Sequence, residues 1–363
     1  MTSFIHDTLG QRVILDAGKA PEHLRAELER LECSNVMVIA SEFESDLAAQ
    51  VAGETDTVLN WNEVRQHVPV ENAQRARRAA ADAKIDVLVS VGGGSTTGLA
   101  KAIALTSGLP IIAVPTTYAG SEATRMWGMT EDRTKSTGLD DRVLPKTVIY
   151  DSTLTLTLPV ELSVASGFNG LAHCIDSMWA PNTDPIAQAM ALEGIRALAR
   201  GLPQVVSDPK DLGGRDLCLY GAYLSAVSFA SAGSGLHHKI CHVLGGTFDL
   251  PHAQTHATVL PYVLAFNAPS VPEIARRISQ ALDDAPSDGS APAAVSALET
   301  LREATNAPRA LRDVGMPEDG IAEAVERIMG VAPADNPTPV TEENLTNLLR
   351  NAWSGEIPGG NHE

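Results

Sequence analysis

The stretch Val89-Ser90-Val91-Gly92-Gly93-Gly94-Ser95-Thr96-Thr97 decides the fold. An apolar run typical of a buried strand leads into three glycines, and then into the helical pattern of residues 98–106. Three glycines let the backbone approach a diphosphate closely, and the N–H groups at the start of the following helix attract anions. The order is not GxGxxG, so the standard dinucleotide fingerprint is missing, and a plain strand-to-helix turn is the alternative interpretation.

Similar strand patterns flank this stretch in the first part of the chain. They predict strands at 13–15, 35–39, 86–91, 109–114 and 146–151. Helical patterns at 21–31 and 70–83 separate them, and this alternation indicates a parallel sheet of βαβ units.

The pattern changes after Asp151, where almost everything is helical. The predicted helices are 171–179, 185–200, 215–232, 252–266, 271–282, 294–304, 321–328 and 341–352. A polar surface loop is expected at 283–292 and a frayed tail at 354–363. The sequence therefore predicts an α/β domain at 1–152 and an all-α domain at 153–363.

Length, charge and cysteine use exclude several classes of protein. The 363 residues, 44% of them hydrophobic, suit about two domains with sizeable cores. Lys and Arg number 27 against 45 Asp and Glu, and the net charge of −18 disfavours nucleic-acid and membrane-surface partners. The N-terminus has no secretory signal pattern, and no apolar run reaches the roughly 18 residues of a membrane span. Four scattered cysteines without a CxxC pair predict reduced thiols in a cytoplasmic protein.

A second loop of small and hydroxyl residues follows the next predicted strand. Residues 113–122 read Ala-Val-Pro-Thr-Thr-Tyr-Ala-Gly-Ser-Glu. In a doubly wound sheet, loops at the carboxyl ends of adjacent strands converge on one crevice, so this loop is expected beside the three glycines. The alternative is an ordinary Ser/Thr turn.

Histidines concentrate in one short segment. Five of the ten fall there: His237, His238, His242, His252 and His256. On a helix, His238 and His242 share a face, with Lys239 beside them, and Asn169 and His173 have the same i, i+4 spacing. Imidazoles that face a crevice suit a metal site, a proton relay or anion binding. For any single histidine, the alternative to a functional role is an ordinary core or surface position in which its hydrogen bonds are satisfied.

These motifs occur in an order that resembles the iron-containing alcohol dehydrogenase superfamily. The order is Gly92-Gly93-Gly94-Ser95, Pro115-Thr116-Thr117, Gly167-x-Asn169-x3-His173, His238-x3-His242 and Pro251-His252. It continues to Asn-Pro-x-Pro at 336–339, so the resemblance covers nearly the whole chain. The strings at 115–122 and 237–248 resemble most the members that reduce maleylacetate.

The resemblance implies an N-terminal dinucleotide-binding domain and a C-terminal all-α domain of the dehydroquinate synthase-like fold, with catalysis in the cleft between them. In metal-dependent members an Asp and three His hold a divalent ion, and the His positions match His173, His238 and His252. The Asp position is Asn169 here, and a neutral amide is a poorer ligand. The expectation is therefore that no residue holds a metal and that no divalent metal is required.

The resemblance also implies NADH or NADPH as cofactor. NAD-specific members carry an Asp after the second strand where this chain has Ser41, so both cofactors are expected to be tolerated. Lys135 matches a lysine that faces the cofactor in relatives, while Arg125 replaces a common proline and is either a cation near the cleft or simply exposed. The expected cofactor-binding residues are Ser41, Gly92, Gly93, Gly94, Ser95, Thr116, Thr117, Ser121 and Lys135.

The implied activity is reduction of the carbon–carbon double bond of maleylacetate to 3-oxoadipate, in aromatic-compound degradation. The expected catalytic residues are Asn169, His173, His238, Lys239, His242, His252 and Tyr118. Lys239 would bind a substrate carboxylate, or else point to solvent. The partner would be a small dicarboxylate, with neither nucleic acid nor membrane, and members commonly form homodimers. Alternatives are a metal-dependent alcohol or polyol dehydrogenase, a dehydroquinate-synthase-like lyase, and a non-catalytic dinucleotide-binding protein.

Overall fold

The computed structural model describes residues 3–8, 10–131, 134–283 and 291–356. These residues form two compact units. One spans Thr8–Leu158, and the other joins the chain up to Asp7 with Pro159–Glu363. No helix in the described ranges is both long enough and apolar enough to cross a membrane.

The first unit is built on a parallel sheet. Its strands are β1 (Arg12–Leu15), β2 (Val36–Ile39), β3 (Thr57–Trp61), β4 (Val87–Gly92), β5 (Ile111–Pro115), β6 (Met126–Glu131), β7 (Thr134–Leu139) and β8 (Thr147–Tyr150). Six of them pair in parallel in the order β1-β8-β5-β4-β2-β3, while β6 and β7 form an antiparallel hairpin. The strand β4 therefore lies between β5 and β2, and the loops that follow these three strands are neighbours.

Both faces of this sheet are covered, as parallel sheets require. The helices are α1 (Ala20–Arg30), α2 (Ser45–Ala52), α3 (Val70–Asp82) and α4 (Gly94–Ser107). All residues of β2 are buried, with Val36 and Val38 in one apolar cluster and Met37 and Ile39 in another. The alternation of side chains along a strand explains why this run is continuously hydrophobic.

The second unit is all-helical. Its helices are α5 (Val160–Ser177), α6 (Pro185–Ser207), α7 (Leu212–Ala232), α8 (Leu236–Phe248), α9 (His252–Asn267), α10 (Pro272–Leu282), α11 (Ala291–Ala304), α12 (Ile321–Met329) and α13 (Glu342–Ser354). Side chains define several of the starts: Asp184 accepts backbone N–H bonds at α6, Asp211 does so at α7, and Thr341 forms a capping box at α13. Apolar faces of α8, α9, α12 and α13 share one core cluster.

The predicted fold class is confirmed, and each predicted strand is present within two residues of its expected ends. The strand β3, the hairpin β6–β7, the helix α2 and the bounds of α8 were not predicted, and α5 begins at Val160, well before the predicted start at 171. The loop expected at 283–292 and the tail expected at 354–363 lie mostly outside the described residues. The backbone of Lys135 belongs to β7, but its side chain is outside the description.

Candidate active site

The three glycines form the turn between β4 and α4. Gly92 has a φ of +149°, and a Cβ there would lie 2.5 Å from Thr96 Oγ1 and 2.6 Å from Glu44 Oε2. A Cβ on Gly93 would lie 3.1 Å from Thr117 Cγ2. Only glycine at these positions leaves the space above the turn open, and we call this space the cradle. The helix α4 starts at the turn, so its first backbone N–H groups lie beside the cradle. Shape and donors therefore fit a dinucleotide diphosphate.

The loop after β5 lies against this turn, as the sequence predicts. Gly92 and Pro115 are partners in the β4–β5 ladder, and the Thr116 N–H donates to the Gly92 carbonyl at 3.3 Å. Thr116 is buried, whereas Thr117 and Ser121 are partly exposed. The structure thus brings together the hydroxyl residues assigned to cofactor binding.

A buried lysine, which sequence reasoning missed, supports this loop. Lys101 Nζ donates to the carbonyls of Ser121 (2.5 Å), Thr124 (2.8 Å) and Met126 (2.8 Å). Burial lowers the pKa of Lys101 to about 7, against the opposing effect of the Glu122 charge. The signal in the sequence was a lysine inside the apolar helix Leu-Ala-Lys-Ala-Ile-Ala-Leu at 99–105.

The end of β2 also reaches this site. Ser41 Oγ donates to Glu44 Oε2 at 2.8 Å, and Thr116 Oγ1 donates to Glu44 Oε1 at 2.7 Å. Ser41 was expected here, but Glu44 was not. Because Glu44 lies in a separate short turn, its position is not evident from the end of the predicted strand.

A second group of polar side chains lies in the helical unit, on three packed helices. It comprises Asn169, His173 and Asp176 on α5, His237, His238, Cys241 and His242 on α8, and His252 and His256 on α9. The rings of His173 and His238 are stacked with centroids 4.9 Å apart, and Phe229 lies 4.2 Å from His238. The centroids of His252 and His256 are 4.4 Å apart. The clustering predicted from the histidine spacing is therefore present.

Asp176 fixes the orientation of His238. Its Oδ2 lies 2.7 Å from His238 Nδ1 and also accepts the Gly235 N–H at 2.8 Å. Since that oxygen is an acceptor, Nδ1 carries the hydrogen and Nε2 keeps its lone pair. Gly235 cannot carry a side chain, because an added Cβ would overlap Asp176 Oδ1. Burial raises the pKa of Asp176 to about 7.

Several buried polar atoms of this group have no hydrogen-bond partner among the described residues. They are Asn169 Oδ1, His173 Nδ1, Asp176 Oδ1, His237 Nδ1, His238 Nε2 and His256 Nε2. Burial, followed by the neighbouring histidines, lowers the pKa of His173 and His237 to about 3 and that of His238 and His256 well below the usual value. The imidazoles are therefore neutral, which is the form that binds metals and accepts protons. Buried groups of this kind are concentrated at functional sites.

Three of these residues could hold a metal ion together. The ligand atoms of His237, Cys241 and His256 all lie within 4.8 Å of one another, and all three residues are buried. His237 Nε2 is 2.9 Å from His256 Nδ1, and Cys241 Sγ is 3.6 Å from His237 Nε2. Two imidazoles and a thiol suit a transition metal such as iron or zinc. This donor set fits a divalent ion, and Cys241, which follows His237 by one helical turn, is the ligand that sequence reasoning overlooked.

The remaining predicted residues lie in varied surroundings. His242 and His252 are exposed, and Lys239 is half-buried one residue from His238. Tyr118 is fully buried. Arg125 forms an ion pair with Asp141 at 2.8 Å, so its charge is already matched.

A glycine turn that fits a diphosphate, on the parallel sheet of a chain that also carries a buried histidine cluster, is typical of a dinucleotide-type oxidoreductase with a helical second unit. Two family models match the chain. "Iron-containing alcohol dehydrogenase" covers residues 11–152, and "Fe-containing alcohol dehydrogenase family, C-terminal" covers residues 163–353. The chain belongs to the iron-containing alcohol dehydrogenase family.

Individual relatives agree with this assignment. A maleylacetate reductase of Sphingobium indicum is 45% identical over 358 residues, which are 98% of this chain and 99% of the relative. A solved iron-containing alcohol dehydrogenase from Corynebacterium glutamicum is 59% identical, with a TM-score of 0.95 and coverage of 99% of both chains. A solved maleylacetate reductase from Agrobacterium tumefaciens is 36% identical, with a TM-score of 0.92 and coverage of 99% of this chain and 100% of its own.

The expectation that no divalent metal is required is wrong. The matched family is named for iron, and the described residues contain the candidate metal ligands His237, Cys241 and His256. Asn169, whose amide is a poor ligand, was the single position behind that expectation. The thiol of Cys241 meets the imidazoles of His237 and His256 where α8 packs on α9, and the sequence alone does not show this contact.

Proposed function

We propose that this chain uses NAD(P)H to reduce the carbon–carbon double bond of maleylacetate, giving 3-oxoadipate. The observation that carries the proposal is 45% identity, over nearly the full length of both chains, to a protein named maleylacetate reductase. Two features of this chain support it. The glycine turn beside Thr116 offers a diphosphate cradle, and the helical unit groups neutral imidazoles with a nearby lysine.

The reaction joins a hydride and a proton to the conjugated double bond. The nicotinamide supplies the hydride to the alkene carbon β to the ketone, and the bond electrons move towards the ketone oxygen. The resulting enolate takes a proton on the carbon adjacent to the ketone. Negative charge therefore develops on oxygen, and fixed donors near that oxygen stabilise the transition state.

Residues of the α/β unit bind and orient the cofactor in this proposal. The turn Gly92-Gly93-Gly94 admits the diphosphate, and the N–H groups at the start of α4, with Ser95, donate to it. Thr117 and Ser121 supply hydroxyl donors from the adjacent loop, and Thr116, whose hydroxyl donates to Glu44 Oε1, lies beside them with its N–H on the Gly92 carbonyl. Lys101 positions this loop through its bonds to backbone carbonyls. The side chain of Lys135 is proposed from the resemblance alone.

Residues of the helical unit act on the substrate. His242 and His252 are exposed, so we assign them to proton delivery and to donation at the ketone oxygen. Lys239 binds a substrate carboxylate, which counters the repulsion of a dianion by a chain of net charge −18. His238 presents the Nε2 lone pair set by Asp176, and Asn169 and His173 complete the polar wall beside it.

A divalent ion would be held by His237, Cys241 and His256. When bound, it supplies a Lewis acid that polarises a nearby oxygen. The thiol of Cys241 would have to ionise in order to bind the ion. Burial opposes this ionisation, since it raises the pKa of the thiol well above the ordinary value.

We also propose a cytoplasmic homodimer. The edge strand β1 exposes Val13 and Leu15, and an exposed apolar strand edge suits pairing with a second copy. Cys33, Cys174 and Cys241 form no disulfide within the described part of the chain, which suits a reducing compartment.

Alcohol oxidation is the second candidate, because a relative at 59% identity bears the name iron-containing alcohol dehydrogenase. Product analysis separates the two functions. Incubation with maleylacetate and NADH deuterated at C4, followed by NMR, should give 3-oxoadipate with deuterium on the carbon β to the ketone. A product labelled at the carbinol carbon would show carbonyl reduction instead and would refute the proposal.

A further inference from the structure

One carboxylate lies where three strand ends of the α/β unit meet. Glu44 Oε2 accepts from Ser41 after β2, and Glu44 Oε1 accepts from Thr116 after β5. A Cβ on Gly92, the last residue of β4, would lie 2.6 Å from Glu44 Oε2. Two hydroxyls thus hold the carboxylate against the first glycine of the diphosphate turn. Its side chain remains partly exposed, so a ligand in the cradle can reach it.

The surrounding chain is acidic. Residues 31–64 contain neither lysine nor arginine, and Glu42 and Asp46 lie close to Glu44 in sequence. A site that accepts the 2′-phosphate of NADPH usually supplies an arginine beside the ribose. The segment after β2 therefore presents negative charge, and no cation, to the 2′-phosphate of NADPH.

We infer that Glu44 binds the adenosine ribose hydroxyls of the cofactor and selects NADH over NADPH. The inference rests on the proposed function, because it assumes that the glycine turn binds a nicotinamide dinucleotide. In α/β sheets of this type, an acidic residue at the end of the strand beside the glycine turn accepts the ribose 2′-OH. The same carboxylate repels a 2′-phosphate at short range. Ser41 alone predicts tolerance of both cofactors, whereas the geometry gives Ser41 the role of holding Glu44.

The test is dinucleotide binding without substrate, followed through the fluorescence of NADH and NADPH on titration with protein. The wild-type chain should bind NADH at least about tenfold more tightly than NADPH, as expected for like charges at contact distance. Glu44→Gln keeps the shape and removes the charge, so it should shift the ratio of the two dissociation constants towards NADPH by about tenfold or more. Glu42→Gln removes the same charge from an exposed side chain of the same turn and should leave the ratio within twofold.

Ser41→Ala is a second variant, which keeps the carboxylate but removes one of its holders. It should weaken NADH binding by a few-fold and shift the ratio less than Glu44→Gln does. Equal wild-type affinity for the two cofactors, or an unchanged ratio in Glu44→Gln, overturns the inference while leaving maleylacetate reduction standing. Preferential NADH binding without turnover of maleylacetate overturns the proposed function and leaves the role of Glu44 standing. Binding of neither cofactor overturns both.

Discussion

Asp176 and His238 form a buried pair in the helical unit, with Asp176 Oδ2 2.7 Å from His238 Nδ1. The same oxygen accepts the Gly235 N–H, so it acts as an acceptor in both bonds. The pair determines which imidazole nitrogen of His238 is available to the site. A carboxylate that orients a functional histidine in this way commonly matters almost as much as the histidine itself.

Asp176→Asn should lower kcat/KM for maleylacetate by about 10- to 100-fold, because a neutral amide oxygen accepts the His238 and Gly235 N–H bonds more weakly than a carboxylate does. Asp249→Asn is the matched control. Asp249 is exposed at the end of α8 with a φ of +54°, a conformation that asparagine tolerates well. Steady-state rates with NADH, together with melting curves, check the effect. Asp176→Asn activity within twofold of wild type would show that the pair does not orient His238.

Gly92→Ala should weaken NADH binding by more than about tenfold. The added Cβ meets Thr96 Oγ1 and Glu44 Oε2, and a φ of +149° is unfavourable for alanine, at a cost of about 1–3 kcal/mol. Gly10→Ala is the control, because a Cβ there has no atom of the described chain within 4 Å. NADH titration and chemical denaturation measure both effects. Unchanged affinity in Gly92→Ala would remove the glycine turn from cofactor binding.

Glu27→Gln tests the contribution of a buried carboxylate on α1 to the stability of the fold. Burial raises the pKa of Glu27, but hydrogen bonds from Arg30 and Thr147 and the charges of Arg30 and Arg12 outweigh it, so the net shift is downward. Above its unfolded pKa near 4.5, the ionised group therefore stabilises the fold, and this contribution is lost as the pH falls through the lower folded pKa. Glu27→Gln should reduce the free energy of unfolding at pH 7 by about 2 kcal/mol.

The pH dependence of the free energy of unfolding tests whether the ionisation of Glu27 accounts for this loss of stability. The difference between wild type and Glu27→Gln should shrink steadily as denaturation is repeated at lower pH, below about 4. A difference that stays constant over this range would mean that packing, and not ionisation, accounts for it.

Metal removal tests the corrected account of the helical unit. Extensive chelation should lower activity, and ferrous iron or zinc should restore it. Cys241→Ser should bind less metal per chain, because a hydroxyl is a poorer ligand for these ions than a thiolate. Cys33→Ser, which removes a cysteine in the other unit, should bind as much metal as wild type. Equal metal content in the two variants would exclude Cys241 as a ligand.

The sequence predicts the sheet well, because a strand buried on both faces is an unbroken apolar run, as in β2 and β4. It predicts β3 poorly, since Thr57–Trp61 alternates between half-buried and exposed positions in an edge strand. The hairpin β6–β7 carries no strong strand pattern, because its residues do not alternate regularly between apolar and polar. No element was predicted for these residues.

For the site, the sequence revealed which residues share a face of one helix, but it did not reveal which residues of different helices are in contact. His238 and His242 could be assigned to one face of α8 from their spacing. The meeting of His237 with His256, and of Asp176 with His238, depends on how α5, α8 and α9 pack, which no local pattern records. Glu44 was missed for the same reason, since its partner Thr116 is 72 positions away.

Reduction of maleylacetate is distinguished from alcohol oxidation by two reactions of one iron- or zinc-loaded preparation. NADH oxidation with maleylacetate is measured beside NAD reduction with a panel of alcohols and polyols, and kcat/KM is obtained for each. We expect kcat/KM for maleylacetate to exceed that for every alcohol by at least about a hundredfold, as differential transition-state binding would require. An alcohol that matches or exceeds maleylacetate would contradict it.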